Sequence, residues 1–332
     1  MIKKEKYNVA VVGATGVVGQ SFIKVLEDYK FPIDNIRLLA SSRSKGKIIH
    51  CFDKDVVVEE LGMDSFKGMD IALFSAGGEV SKVFAPQAVK DGCLVIDNSS
   101  CFRMDENVPL VVPEVNPLDI KTTGIIANPN CSTITVMPCI DAIYKNFGIK
   151  RINYTSYQAV SGAGMKGITD LEKTKRGEEK SFFPYNISLT CIPHIDSFLD
   201  NGYTKEEMKM VNETRKILHD ENIPVSATCV RVPVPNSHAV SCVIELEKEF
   251  ELKDVYEALK NHPGIVIKDD PLNNIYPVAE MSNGSDLTYV GRIRKDLSCK
   301  NGLIIYCVAD NIRKGAAGNA VQIAEKIIKE FL

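Results

Sequence analysis

Residues 7–22 read YNVAVVGATGVVGQSF. A short valine-rich run ends at Gly13, glycines recur at 16 and 19, and the apolar residues Phe22, Ile23, Val25 and Leu26 then keep helical spacing. The pattern predicts a buried strand, a glycine turn and a helix. Three glycines there allow a tight turn, close approach of a pyrophosphate and close helix–strand packing, while the helix N-terminus offers unpaired N–H groups to phosphates. The spacing G-x-x-G-x-x-G varies the usual G-x-G-x-x-G, so its weight comes from the strand–turn–helix setting.

Working outward, residues 36–41 (IRLLAS), 69–78 (MDIALFSAGG) and 93–100 (CLVIDNSS) are further strand candidates, with a helical pattern at 79–92 between the last two. Non-alternating strands interleaved with helices predict a doubly wound parallel sheet. From about Arg151 the texture changes: 151–162, 225–235 and 238–248 read as longer, alternating strands, which suits a mixed or antiparallel sheet. The polar stretch 173–204 between them predicts loops, and 315–332 an amphipathic helix packing back on the first domain. The expected architecture is α/β. A Rossmann-like domain over 1–130, completed by 313–332, is expected to bind a dinucleotide, beside an α+β domain over 131–312.

Composition narrows the function. The 332 residues suffice for two cores, and 45 % hydrophobic with 25 % charged residues is ordinary for a globular chain. A net charge of −3 leaves no basic footprint for nucleic acid or anionic membrane. No apolar run reaches the roughly 18–20 residues that span a bilayer. The basic start passes straight into the glycine turn, unlike a signal peptide, so a cytoplasmic protein is expected. Ten cysteines occur without a C-x-x-C pair. They suggest no metal site, and most should be small buried apolar residues.

The stretch after the second strand, LLASSRSKGK at 38–47, offers Ser42 and Arg43 among hydroxyls and bases, and no acid. An acid there would suit the ribose 2′-hydroxyl of NAD; a guanidinium and hydroxyls suit a 2′-phosphate, which predicts NADP. The chemistry itself points to NPNCSTITVMPC at 128–139. Asn-Pro marks a turn, and Ser132 and Thr133 begin a helical stretch. A thiol at that helix N-terminus, Cys131, would feel the positive end of the dipole, and nearby N–H groups could steady an oxyanion. Of five histidines as proton partner, His50, His219, His262 and His194 lie in polar or loop stretches. His238 lies at the join of two strands, seven residues after Arg231; local sequence alone leaves a structural role for it equally open.

Seven motifs taken together resemble the aspartate-β-semialdehyde dehydrogenase family: GATGVVG at 13–19, DNSSCFRM at 97–104, NPNCST at 128–133, YQAVSGAG at 157–164, EEMKMVNETRKIL at 206–218, RVPVPNSH at 231–238 and DNIRKGAAGNAVQIAE at 310–325. The resemblance spans essentially the whole chain. It implies reversible, NADPH-dependent reductive dephosphorylation of L-aspartyl 4-phosphate to L-aspartate 4-semialdehyde, a step feeding lysine, threonine and methionine synthesis. It implies Cys131 as acyl-thioester nucleophile, His238 as general acid/base and Gln158 as an orienting residue. Arg231 would clamp the substrate carboxylate, Glu206 would meet the ammonium, and Arg103 and Lys209 would hold phosphate. Thr15, Gly16, Val17, Val18, Ser42, Arg43, Ser161, Gly162 and Asn311 would contact the cofactor beside Gly13 and Gly19. A homodimer or homotetramer is implied, with the second domain's sheet at the interface.

Physical alternatives accompany these roles. Glu206 and Lys209 three apart on a helix could be a surface pair, and Arg103 an exposed loop arginine. Relatives often carry a glycine shortly before the histidine, where this chain has Asn236 and Ser237. An N-acetyl-γ-glutamyl-phosphate reductase would share the plan but need no Glu206, and a non-catalytic NADP sensor would need no reactive thiol.

Overall fold

The computed structural model describes residues 1–332. The chain forms two compact units, Met1–Pro129 with Ala316–Leu332, and Asn130–Gly315.

The first unit holds β1 (Tyr7–Val12), α1 (Val17–Asp28), β2 (Ile33–Ala40), β3 (Ile48–Cys51), β4 (Lys54–Val57), β5 (Glu59–Glu60), β6 (Ile71–Phe74), α2 (Gly78–Lys90), β7 (Leu94–Asp97) and β8 (Ile125–Ala127). Six of these strands make one sheet in the order β5-β2-β1-β6-β7-β8, and every pairing is parallel. The expected doubly wound sheet is observed. Alternate residues of β1 serve its two faces. Val9 and Val11 pack with Phe22 and Leu26 of α1 and with Ala320, Val321 and Ile323 of the C-terminal helix; Ala10 and Val12 pack with Phe66, Phe74 and Ala85 on the other side. The strand order reverses between β1 and β6, the crevice where open α/β sheets bind ligands.

The second unit comprises α3 (Cys131–Phe147), β9 (Ile149–Gln158), α4 (Met165–Lys175), α5 (Lys205–Leu218), β10 (Val225–Arg231), β11 (His238–Leu246), α6 (Leu252–Lys260), β12 (Ile265–Ile267), α7 (Ala279–Ser282), β13 (Thr288–Lys295) and β14 (Gly302–Ala309). Its sheet runs β10-β9-β11-β14-β13-β12, parallel at the two outer pairings and antiparallel between, so it is mixed, as expected. The alternation read in the sequence is real: His238, Val240, Cys242, Ile244 and Leu246 of β11 are all buried. Between α4 and α5 the chain forms turns and isolated bridges. The Asp170 carboxylate ties this stretch down, accepting the amides of Ser181, Phe182 and Phe183. Ile192 pairs with Arg231 at 2.9 and 2.8 Å. The final helix, α8 (Asn319–Lys326), is flanked by wider turns at Arg313–Gly318 and Ile327–Phe331. No helix is long and apolar enough to cross a membrane.

Candidate active site

The period of two along strands assembles the second unit's site. Gln158 and Arg231 end the parallel neighbours β9 and β10 and are register partners, and His238 begins β11 on the other side of β9. All three side chains are buried, with 1 %, 5 % and 0 % exposure respectively.

The Ala159 peptide, one residue past β9, joins two of them. Its N–H donates to His238 Nδ1 at 3.1 Å and its carbonyl accepts from Arg231 Nη1 at 2.6 Å. With Nδ1 accepting, the neutral ring carries its proton on Nε2. Burial first, then the Arg231 charge, hold His238 well below its usual pKa. His238 Nε2 and Arg231 Nε are buried without a protein partner. Each such orphan costs about 1–3 kcal/mol in a folded protein, a cost that a substrate oxygen would offset.

Cys131 is the first residue of α3. Asn130 caps that helix, its Oδ1 accepting from the Ser132 amide at 2.9 Å, so the expected helix start is observed. The same side chain donates to Glu206 Oε1 at 2.9 Å, and the Asn130 amide donates to Glu213 Oε2 at 2.6 Å. The Cys131 side chain is partly exposed. Gly315 lies against it: a Cβ at 315 would come within 2.9 Å of Cys131 Cβ.

Glu206 is not surface decoration. It is 6 % exposed, on the first turn of α5, where Thr204 and Glu207 form a reciprocal cap. Burial opposes its charge, but Lys209, Asn130 and Arg231 together hold its pKa below the usual carboxylate range. Lys209 does pair with Glu206, at 3.0 Å, and also with Asp196 at 2.9 Å. Against the opposing effect of burial, these partners raise its pKa. Arg231 is pulled below its usual value by burial, while charges on Glu206 and the Cys131 sulfur favour the guanidinium. The nucleophile candidate, the clamp and the acid therefore share one electrostatic environment.

Gly162 lies beside both buried bases. A Cβ there would sit 2.8 Å from Arg231 Nη1 and 3.2 Å from His238 Nε2. Ser161 Oγ and Asn311 Nδ2 are 3.0 Å apart, and Asn311 Oδ1 accepts the Ser237 amide at 2.8 Å. Sequence reasoning missed Asp196, Glu213 and Gly315, and it noted Ser237 only as a departure from the family pattern.

The first unit brings its own candidates together. Gly13 has φ +85°, and the Gly16 amide closes the turn on its carbonyl at 2.9 Å. Gly19 packs so tightly on Gly13 that a Cβ would overlap its carbonyl. Gly16 precedes α1, whose first turn, with Val17 and Val18, has neither a side-chain cap nor an acid. Thr15 Oγ1 meets Ser44 Oγ at 3.3 Å, so the glycine turn and the basic loop after β2 are neighbours. Ser42 and Arg43 lie exposed on one turn of that loop. An uncapped, acid-free helix start and an exposed guanidinium fit a phosphorylated dinucleotide. Arg103 is buried at 7 % exposure, donating to the carbonyls of Asn128 (2.9 Å) and Asn98 (2.8 Å), so it is not an exposed loop residue.

Comparison with known proteins agrees in family. The model of the semialdehyde dehydrogenase NAD-binding domain matches residues 8–123, and that of the semialdehyde dehydrogenase dimerisation domain residues 140–314. Aspartate-semialdehyde dehydrogenase of Aquifex aeolicus is 55 % identical over 337 residues, 98 % of this chain and 99 % of its own. The crystal structure of aspartate-semialdehyde dehydrogenase II from Vibrio cholerae complexed with ASA superposes with a TM-score of 0.94 at 45 % identity, covering 99 % of this chain and 100 % of that one. The Candida albicans aspartate-semialdehyde dehydrogenase structure with NADP gives a TM-score of 0.77 at 26 % identity, over 97 % and 98 % of the two chains.

Proposed function

We propose a function from one premise: the chain belongs to the aspartate-semialdehyde dehydrogenase family. It reversibly converts L-aspartyl 4-phosphate to L-aspartate 4-semialdehyde and phosphate with NADPH, as a cytoplasmic enzyme of amino-acid biosynthesis. The observation that carries this reading is that Arg231 and His238, each with a buried, unpartnered nitrogen, both border Gly162 at one end of the sheet. A substrate with a carboxylate for the guanidinium and a reacting carbonyl oxygen for the imidazole satisfies both.

The Cys131 thiolate attacks the acyl carbonyl, a C–S bond forms and phosphate leaves; Lys209 and Arg103 balance its charge. A covalent intermediate splits one hard displacement into two easier steps. The reduced nicotinamide, when bound, supplies the hydride. His238 gives its Nε2 proton to the developing alkoxide and takes it back as the C–S bond breaks and the aldehyde departs. General acid–base help of this kind is worth on the order of 10²–10⁴-fold. Arg231 holds the α-carboxylate in a bidentate fork, and Glu206, kept ionised by Lys209 and Asn130, receives the α-ammonium. That buried carboxylate supports a free amino group on the substrate rather than an acetylated one.

Ser42 and Arg43 support NADP, and the family's dimerisation domain supports a homodimer or homotetramer. The test is an absorbance assay of cofactor reduction with aspartate semialdehyde and phosphate. Phosphate-dependent reduction of NADP, faster than of NAD, is expected. Activity only on an N-acetylated semialdehyde, or on none, contradicts the reading.

A further inference from the structure

We infer that Ser237 is a positioning residue for His238: its hydroxyl, held by Ser282 and Asn283, fixes the left-handed turn from which the chain enters β11 and seats the histidine ring on the Ala159 N–H. The inference rests on the proton role proposed for His238.

Ser237 has φ +73°, a region that L-residues other than glycine seldom occupy. Such a conformation persists where the surroundings over-determine it, and these strained residues cluster at functional sites. Here the surroundings are explicit. The Ser237 amide donates to Asn311 Oδ1 at 2.8 Å. Its hydroxyl donates to Asn283 Oδ1 at 2.7 Å and accepts from Ser282 Oγ at 2.8 Å. Ser237 is 3 % exposed and Ser282 fully buried, so no solvent competes for these bonds.

Glycine would take this φ without strain but could not anchor to α7 or Asn283. The hydroxyl therefore adds something that backbone geometry alone does not require. The next residue, His238, carries the ring whose Nδ1 accepts from the Ala159 N–H. A tethered Ser237 peptide keeps the ring aligned on that N–H and Nε2 free for substrate. The charged group facing the ring is Arg231, on which Glu206 of α5 and Cys131 of α3 act in turn.

The test compares full-length wild type with Ser237→Gly, Ser237→Ala and His238→Asn. It measures kcat, both KM values, the pH dependence of kcat and the melting temperature. In Ser237→Gly the fold tolerates the change, and kcat is expected to fall about tenfold, short of the roughly 10²-fold that a 1 Å misplacement can cost. Both KM values stay within about twofold, and the limb of the profile lost in His238→Asn moves to higher pH, because a displaced ring loses the Ala159 N–H bond that favours its neutral form. Ser237→Ala shows the same kinetics with a lower melting temperature, since it keeps the strained φ. Wild-type kcat and pH profile in Ser237→Gly overturn the inference. So does a rise in the KM for NADP at unchanged kcat, which would mean that residue 237 acts only through Asn311. If His238→Asn retains wild-type turnover, the proton role fails and the inference falls with it; if His238→Asn is inactive while Ser237→Gly is normal, the inference alone fails.

Discussion

Arg231 ends its strand with a buried cation whose Nη1 is bonded to the Ala159 carbonyl. Five donors in a rigid plane let a guanidinium make that internal bond and still present a fork to a carboxylate. A lysine has one strongly hydrated nitrogen, is harder to bury, and cannot form a planar bidentate pair with a carboxylate. Arg231→Lys should therefore raise the KM for aspartate semialdehyde more than about tenfold, the loss of one charge-assisted bond, at unchanged KM for NADP. An unchanged KM for the semialdehyde would show that the guanidinium faces something other than substrate. At this scale the sequence was informative where chemistry is local, as with Cys131 behind Asn-Pro and ahead of a helix. It was silent on Glu206, whose (i, i+3) lysine is equally consistent with a solvated surface. Burial under Asn130 and Gln158, from segments about 50–75 residues away in the chain, decides that case, and nothing local encodes it.

The elements divide the labour. In the second unit, strand ends supply Gln158, Arg231 and His238, and helix starts supply Cys131 and Glu206. Alternation along each strand predicts which side chains share a face, but not which strands are neighbours. The parallel pairing of β9 with β10 and the antiparallel pairing of β9 with β11 create the row. In the first unit the glycine turn was legible because Gly13 at φ +85° and the close packing of Gly19 tolerate no side chain. The loop after β2 carries no acid, and the proposal of NADP starts from that. Arg43 is exposed beside Ser42 and Ser44, with no structural duty that its removal would disturb. Arg43→Ala should raise the KM for NADP about tenfold or more, as loss of one phosphate contact would, and leave that for NAD within about twofold. Equal effects on both cofactors would place this arginine away from the 2′-phosphate.

For the whole molecule, the buried charges of the site link activity to stability. His238 has a folded pKa well below its reference of 6.5. As pH falls below that reference, the unfolded chain takes up a proton that the folded chain refuses, so stability is lost. Glu206 has a folded pKa below its reference of 4.5, so its contribution is present above that pH and lost as pH falls further. Thermal melts should be nearly flat above neutrality, decline as pH drops below 6.5, and steepen below 4.5. His238→Gln should reduce the first decline and spare the second; an unchanged first decline would contradict the neutral, buried assignment. The change in hydrophobic period near residue 150, which falls inside the second unit beginning at Asn130, is readable. The wide turns around α8 and the seat of Gly315 against Cys131 arise from tertiary packing and are not. The central claim concerns one covalent bond, and mass spectrometry reads it directly. Enzyme given aspartate semialdehyde and NADP without phosphate, then quenched in acid and digested, should carry an aspartyl group on the peptide containing Cys131. An adduct on another residue, or none while the cofactor is being reduced, would contradict the account.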